Sequence, residues 1–341
     1  MKIGVVGASG YSGGELLRLL CAHPAFELSY IAAGSQAGAL ISKVHPHLAT
    51  WGNRRFEETD ISRMNNCDLL FFALPHGESA KMIREVNPSI KVIDLGADFR
   101  LNSATSWEQY YGGQHAGTWV YGLPEIAGQR TKITTATKIA NPGCYATAIA
   151  LASAPAIAHG LIDAGDLVVI AASGTTGAGR KASADLLASE IMGSLTSYKF
   201  GGVHQHTPEI EETLSKISDA PVKLSFTPIL APMPRGILAT VTAKLLQPLE
   251  TSAVQEIYRD YYAKESFVTV LLHPALPKTS AVIGSNSIHL QVAVDHHTNR
   301  LIISSALDNL GKGAASQAIQ NANLVCGLPE DTGLSGIGVG A

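Results

Sequence analysis

The glycine-rich segment Gly7-Ala8-Ser9-Gly10-Tyr11-Ser12-Gly13 most restricts the fold of this chain. It follows a short apolar run, residues 2–6, and precedes a stretch with helical spacing that begins at Glu15. A second apolar run, residues 26–33, completes a strand–turn–helix–strand unit of ordinary βαβ length. An ordinary tight turn is the alternative interpretation. The complete βαβ unit favours a dinucleotide site in which Gly7, Gly10 and Gly13 let a pyrophosphate approach the helix N-terminus.

Further strands and helices alternate along the first half of the chain. Residues 69–74 and 92–95 are predicted strands, and residues 77–86 are a predicted helix between them. This alternation is typical of a parallel sheet covered by helices on both faces. The chain has 341 residues, of which 46% are hydrophobic and 16% charged, so it can form two domains with large cores. The predicted fold class is α/β, with a Rossmann-type domain.

The end of the second predicted strand indicates which dinucleotide binds. An NAD site usually presents an Asp or Glu there to hold the ribose 2′-hydroxyl. Here the strand runs into Ala33-Gly34-Ser35-Gln36, with no acidic residue nearby. A carboxylate would repel a 2′-phosphate, whereas Ser35 and the local amides can bind one. The sequence therefore predicts NADP, although no arginine stands at this point.

Composition excludes several classes of partner. The net charge is -3 and no block of Lys or Arg stands out, which argues against nucleic acid or an anionic membrane. The longest apolar runs, such as residues 167–172, have strand length and cannot span a bilayer. The four cysteines form no CxxC pair and do not have the spacing of a zinc site. So few and irregularly placed cysteines are typical of a protein from a reducing compartment. Because Met1 to Val6 already reads as a strand, we expect no signal peptide and a cytoplasmic protein.

Cys144 is the predicted nucleophile. It follows Asn141-Pro142-Gly143 and precedes an Ala-rich helical stretch, residues 148–159. At a helix start, the dipole and free amides favour a thiolate and can hold an oxyanion, while Gly143 permits close approach of a carbonyl. A lone cysteine is more often a buried structural residue. That interpretation is kept for Cys21, Cys67 and Cys326.

The proton-transfer partner is predicted in the segment His204-Gln205-His206-Thr207-Pro208. Thr207 and Pro208 have the character of a helix N-cap and first helical residue, which would place His206 just before a helix. We predict that His206 is the catalytic acid/base. A metal site is the alternative, because two histidines and Glu209 lie close together. No third well-spaced ligand follows, so no metal is predicted, and His204 can be an ordinary surface histidine.

Eight short motifs are distributed along nearly the whole chain. They are GASGYSG (7–13), DLGADFRL (94–101), YGLPE (121–125), NPGCYATA (141–148), SGTTGAGRKA (173–182), HQHTPEI (204–210), PMPRG (232–236) and DNLGKGAASQA (308–318). On these motifs the chain resembles the N-acetyl-γ-glutamyl-phosphate reductases, the NADP-dependent enzymes of arginine biosynthesis. Members of that family are homo-oligomers, so the resemblance implies a homodimer or homotetramer.

The resemblance also implies a reaction. N-acetyl-L-glutamyl 5-phosphate, a small acyl phosphate, is reduced by NADPH to the 5-semialdehyde with release of phosphate. Cys144 forms a thioester and His206 handles the proton. The residues implied for the cofactor are Ser9, Gly10, Tyr11, Ser12 and, near the nicotinamide, Asn309. Arg235 is implied as a partner of the substrate's phosphate or carboxylate, and a structural ion pair is its alternative role.

Two domains are predicted. Residues 1–147 form the dinucleotide-binding domain, which residues 308–341 complete with a helix at 313–324 and a mobile tail from Gly333. Residues 148–307 form an α+β catalytic and dimerisation domain with a mixed sheet. Its predicted strands are 167–172, 222–227, 237–246, 267–272, 288–294 and 301–305.

Three alternative functions stay open at this point. In aspartate semialdehyde dehydrogenase, the cysteine directly follows an Asn, whereas Gly143 precedes Cys144 here. The related reductase of lysine biosynthesis acts on an aminoadipyl phosphate, and one methylene changes pocket affinity by only about 1–3 kcal/mol. A non-catalytic NADP-binding sensor should lack the nucleophile or the base, yet both are present.

Overall fold

The first half of the chain forms a six-stranded parallel sheet, in a computed structural model that describes residues 1–340. The strand order is β2-β1-β3-β4-β6-β5, and every neighbouring pair is parallel. The predicted parallel sheet is therefore confirmed. Its strands are β1 (Lys2–Val6), β2 (Glu27–Ala32), β3 (Leu69–Phe72), β4 (Lys91–Asp94), β5 (Val120–Tyr121) and β6 (Lys138–Ala140).

Helices connect these strands, and the longest of them starts within the glycine segment. Buried apolar residues of that helix pack against β1 and β3, whose own side chains are buried throughout the sheet centre. This burial places the helix N-terminus at the carboxyl end of β1. The helices are α1 (Tyr11–Leu20), α2 (Ile41–Val44), α3 (Ile61–Met64), α4 (Glu78–Met82), α5 (Ala104–Tyr110) and α6 (Gln129–Thr135).

The second half forms a seven-stranded mixed sheet in the order β11-β12-β13-β10-β7-β9-β8. The pairs β7–β9 and β11–β12 are parallel and the other neighbours are antiparallel. The mixed sheet confirms the predicted fold class. Its strands are β7 (Leu167–Ser173), β8 (Thr196–Ser197), β9 (Leu224–Leu230), β10 (Ile237–Lys244), β11 (Val268–Val270), β12 (Ile288–Asp295) and β13 (Arg300–Leu307).

Helix α7 (Cys144–Ala158) connects the two sheets, because it starts directly after β6 and packs on β10 and β13. Residues 145–157 are all buried, and their small alanines allow close packing on every side. Although α7 is apolar, it has 15 residues, and no helix within residues 1–340 is long and apolar enough to span a bilayer. The remaining helices of this half are α8 (Ala188–Ile191), α9 (His206–Ser215) and α10 (Thr251–Tyr261).

The second sheet buries one face and leaves apolar side chains on the other. Strands β7 and β10 alternate buried and exposed residues, and α7 covers the buried face. On the opposite face Ile170 is 52% exposed, with Val168 and Leu238 exposed beside it. An apolar sheet face of this kind indicates a surface suited to another protein.

The C-terminal residues return to the first sheet. A π-helical turn, Gly311–Ala315, leads into α11 (Ser316–Val325), which packs on α1, α6 and β4. Two backbone hydrogen bonds join the C-terminal segment to the second half of the chain: the Asn286 amide donates to the Ser335 carbonyl at 2.8 Å, and the Val339 amide donates to the Ile283 carbonyl at 2.9 Å. The mobility of the tail from Gly333 stays a prediction. Ala341 lies outside the described residues.

Candidate active site

The glycine segment forms an open cradle at the start of α1. Gly7 has φ +82°, and a Cβ there would lie 2.3 Å from the Ala73 carbonyl oxygen. A Cβ on Gly13 would lie 2.7 Å from backbone atoms of Ala8, so both glycines are required by close packing. At Gly10 the nearest atom would be 3.8 Å away, which leaves open space beside the first amides of the helix. Because its first turn carries no acidic residue, the cradle fits an anionic pyrophosphate.

Ser35 lies exposed in the turn that follows β2. The side chain of Arg55 brings a positive charge to this turn, because its Nη1 donates to the Gly38 carbonyl at 2.7 Å. No positively charged residue stands in the turn itself. Residues Leu40 and Arg55 form an isolated antiparallel bridge, which brings the arginine there from a later segment. Sequence reasoning missed Arg55 because nothing in its own neighbourhood indicates this pairing.

Cys144 and His206 are the first residues of α7 and α9, and the two helix starts meet. A Cβ on Gly143 would lie 2.4 Å from His206 Nε2, so the imidazole contacts the backbone just before the nucleophile. The residue after Cys144 also contacts the imidazole: the Tyr145 ring packs edge-on against His206, at 6.1 Å between ring centroids. The structure therefore brings the predicted nucleophile and the predicted base together.

Helix α9 begins earlier than predicted. His206 is its first residue and Gln205 its N-cap, so the predicted cap at Thr207 is wrong. The cause is His204, whose Nδ1 accepts from the His206 amide at 3.1 Å and whose carbonyl accepts from Thr207 at 2.9 Å. His204 is 7% exposed and packs against Phe226, so it is not a surface histidine. No cluster of three or more His, Cys, Asp or Glu residues suited to a metal occurs within residues 1–340.

The π-helical turn closes the other side of Cys144. A Cβ on Gly313 would lie 2.8 Å from Cys144 Cβ, so a side chain at position 313 would displace the nucleophile. The Asn141 side chain donates to the Ala314 carbonyl at 3.1 Å and accepts from Asn321 at 3.0 Å. The turn, the Asn-Pro-Gly segment and α11 are thereby joined around the start of α7.

A buried network of charged side chains stabilises the segment before Cys144. Glu209 accepts hydrogen bonds from the Gly143 amide at 2.8 Å and from the Tyr121 hydroxyl at 2.7 Å. Its other oxygen accepts from Arg100 at 3.3 Å, and both charged side chains are almost fully buried. Arg100 Nη1 would lie 2.9 Å from a Cβ on Gly143. These residues hold the segment before Cys144 and place a positive charge beside it.

Burial sets the protonation states of the two reactive groups. It raises the pKa of the Cys144 thiol to about 11, although the Tyr145 amide and the Arg100 charge lower it. The expected preference for a thiolate at the helix start is therefore outweighed by desolvation. Burial also holds the pKa of His206 well below its usual value, with further lowering by the Arg100 charge. The resting site holds a neutral thiol and a neutral imidazole, whose Nδ1 is buried without a partner among residues 1–340.

Asn309 lies two residues after the end of β13. Its Oδ1 accepts from the Gly236 amide at 2.7 Å, and its Nδ2 donates to Thr176 Oγ1 at 3.0 Å. It is 2% exposed, so its orientation is fixed by the loops that follow β7 and precede β10. The structure thus gives Asn309 a defined position, and its contact with the nicotinamide stays a prediction.

Arg235 is held by two carboxylates. Its Nη2 lies 2.6 Å from Asp308 Oδ2 and 3.0 Å from Glu15 Oε1. Glu15 belongs to α1 and is buried, so the arginine links the two sheets. This geometry favours the structural ion pair over the role in substrate binding, which stays a prediction.

Comparison with known proteins identifies the family. A family model described as "Semialdehyde dehydrogenase, NAD binding domain" matches residues 2–136, and one described as "Semialdehyde dehydrogenase, dimerisation domain" matches residues 144–309. The N-acetyl-gamma-glutamyl-phosphate reductase of Acidothermus cellulolyticus is 53% identical over 338 residues, covering 99% of this chain and 98% of that protein. The chain belongs to the N-acetyl-γ-glutamyl-phosphate reductase family. A reductase of the same name from Corynebacterium glutamicum is 45% identical, with 99% of each chain covered.

Solved structures show that the reductase family shares its fold with other enzymes. Aspartate semialdehyde dehydrogenase II of Vibrio cholerae superimposes with a TM-score of 0.70 at 16% identity, covering 95% of this chain and 98% of that one. The aspartate semialdehyde dehydrogenase of Candida albicans, solved with NADP, gives a TM-score of 0.69 over the same shares of the two chains. At such identities the likeness concerns the fold alone.

Proposed function

We propose that this member of the reductase family reduces N-acetyl-L-glutamyl 5-phosphate to N-acetyl-L-glutamate 5-semialdehyde and phosphate in arginine biosynthesis. The observation that carries the proposal is the contact of His206 with Gly143, directly before Cys144. It supplies a base beside a thiol at a helix N-terminus, which is the arrangement that acyl transfer to sulfur requires. The 53% identity to a reductase of this name, over nearly the full length of both chains, supports this choice of substrate.

The first step follows from the protonation states of the site. A thiol with a pKa of about 11 is mostly neutral at physiological pH, so it needs a base when it attacks. We infer that His206 takes the Cys144 proton in concert with formation of the bond from sulfur to the acyl carbon, because the negative charge that develops on the oxyanion and the leaving phosphate stabilises the imidazolium. The bond from that carbon to the phosphate oxygen breaks, phosphate leaves and a thioester remains. The amides at the start of α7 stabilise the oxyanion, and the Arg100 charge lies beside the same position.

The second step uses the same two residues. The bound nicotinamide cofactor supplies the hydride that reduces the thioester carbon. Cys144 then leaves as the aldehyde forms, and the protonated His206 returns its proton to the sulfur. Because both groups end in their starting states, the site is ready for another turnover.

The cofactor is assigned to the cradle at the start of α1. Ser9, Gly10, Tyr11 and Ser12 would hold the pyrophosphate, since Gly10 leaves room for it. Ser35 and Arg55 would bind the 2′-phosphate, because both lie at the turn after β2 where no acid is present. This charge arrangement favours NADPH over NADH.

We also propose how the chain divides into domains and how its copies assemble. Residues 1–147 with 308–341 would bind the cofactor, and residues 148–307 would carry the second sheet. The open face of that sheet, with Ile170 at its centre, would join two copies in a cytoplasmic homodimer or in the dimers of a tetramer. The description of the matching family model as a dimerisation domain supports this use of the face.

The substrate is tested in the reverse direction. Phosphate-dependent reduction of NADP⁺ should be measured with N-acetylglutamate semialdehyde, its aminoadipate homologue and aspartate semialdehyde. We expect kcat/KM for the glutamate compound to exceed that of the homologue by about 10- to 200-fold, the usual value of one methylene in a pocket. Preference for either other aldehyde, or no turnover at all, would reject the proposal.

A further inference from the structure

The proposed substrate carries an α-carboxylate as well as an acyl phosphate, and the residues described so far leave that carboxylate without a cation. Arg235 is engaged by Glu15 and Asp308. Arg100 is buried and donates to Glu209 and to the carbonyls of Asn141 and Leu95. The carboxylate therefore needs another cation near Cys144.

Lys199 lies beside the start of α9, in the segment between β8 and α9. The residue before it, Tyr198, donates its hydroxyl to the Tyr145 hydroxyl at 3.1 Å, which ties the segment to the residue after Cys144. Lys199 itself has φ +42°, and Gly201 and Gly202 follow with φ +82° and +81°. A non-glycine residue in the left-handed region is strained, and such strain persists only where the surroundings fix it.

The ammonium group of Lys199 is directed toward the histidine pair. Its Nζ donates to Gln205 Oε1 at 2.8 Å, and Gln205 stands between His204 and His206 in the sequence. The Lys199 charge contributes to lowering the pKa of His206, His204 and His76, so all three imidazoles lie within its field. An ammonium has three donors and this hydrogen bond uses one of them. The side chain is exposed, so its other donors are available to a ligand.

We propose that Lys199 binds the α-carboxylate of the substrate and so selects acyl phosphates that carry a carboxylate at this distance from the reacting carbon. This inference rests on the proposed function. Lys199 lies by Gln205, next to His206 in the chain, so its ammonium can pair with a carboxylate bound close to the reacting carbon.

The reverse reaction separates the two anions, because the semialdehyde carries the carboxylate and phosphate is added as a second substrate. In Lys199→Met, the KM for N-acetylglutamate semialdehyde should rise about 10- to 100-fold, as for loss of a hydrogen bond to a charged group. The KM for phosphate should stay within about two-fold. Lys199→Arg should restore most of the affinity, and Lys264→Met, an exposed lysine after α10, should behave as wild type.

A substrate analogue provides the second arm. In the wild type, replacing the carboxylate of the semialdehyde by a carboxamide should raise KM by a similar factor, whereas Lys199→Met should barely distinguish the two compounds. An unchanged KM for the semialdehyde in Lys199→Met, or a rise in the KM for phosphate instead, would overturn the assignment. If the wild-type enzyme does not turn over the semialdehyde, the proposed function is rejected together with this assignment. Equal melting temperatures of the variants check folding.

Discussion

The imidazole of His206 and the backbone of Gly143 are in direct contact: a Cβ on Gly143 would lie 2.4 Å from His206 Nε2. Real Cβ atoms do not approach other atoms so closely, so either the imidazole or the backbone would have to move. Arg100 Nη1 would lie 2.9 Å from the same Cβ. The absence of a side chain at position 143 therefore brings the base and a buried charge up to the nucleophile.

Gly143→Ala should reduce kcat at least about 100-fold, because displacing a catalytic group by about 1 Å has an effect of this size. The KM for NADPH should change little, since the cradle at Gly10 is elsewhere. Gly165→Ala is the matched control, because its nearest atom would lie 3.4 Å away. Steady-state kinetics on both variants provide the check. A kcat close to wild type in Gly143→Ala would contradict the contact.

Glu209→Gln should destabilise the protein by about 3–5 kcal/mol, because it removes the anion that faces the buried Arg100. Glu211→Gln on the same helix is the control. Glu211 pairs at 3.7 Å with Lys223, which is largely exposed, so this change should cost less than about 1 kcal/mol. Urea denaturation of both variants measures the difference. Equal midpoints would show that the network does not support the helix starts.

Alkylation of Cys144 by iodoacetamide should speed up as pH rises, with a midpoint at about 11 in the cofactor-free enzyme. The sign follows from burial, which raises the thiol pKa, so the reactive thiolate is about one part in a thousand at pH 8. Mass spectrometry of the peptide that contains Cys144 separates this reaction from that of the exposed Cys21. A rate that is already constant below pH 8 would mean that the thiolate is stabilised at rest.

Ile170→Lys should convert the assembled protein to monomers, because it places a charge at the centre of the apolar face of the second sheet. Sedimentation velocity gives the assembly state directly. Ile337→Lys serves as the control, since Ile337 is 84% exposed in the C-terminal segment. If the Ile170 variant sedimented as the wild type does, the face would not be the interface.

Much of the fold follows from local sequence patterns. The strand Lys2–Val6 has the predicted bounds, and the apolar run at residues 69–74 contains the observed strand Leu69–Phe72. Both signals lie within a few residues, where side-chain period and turn glycines determine the local structure. Helix α9 starts two residues before the predicted position, because His204, not Thr207, supplies the acceptor groups there.

The site was predictable only in part, for a physical reason. Cys144 and His206 could be proposed from helix-start chemistry and the family motifs. The contacts that adjust them join distant segments, as in the Arg100–Glu209 pair and the approach of Arg55 to Gly38. The raised pKa of Cys144 depends on burial, which no local pattern contains. Tertiary packing therefore determines the electrostatics of a site whose reactive residues are recognisable locally.

Trapping the thioester tests the central claim most directly. Enzyme mixed with N-acetylglutamyl phosphate, in the absence of NADPH, should release one phosphate per site in a burst. Mass spectrometry should then find an N-acetylglutamyl group on the peptide that contains Cys144. Cys144→Ser should give neither the burst nor the adduct, and its rate of reduction should fall by at least about 1000-fold. An acylated residue other than Cys144, or full activity in Cys144→Ser, would contradict the account.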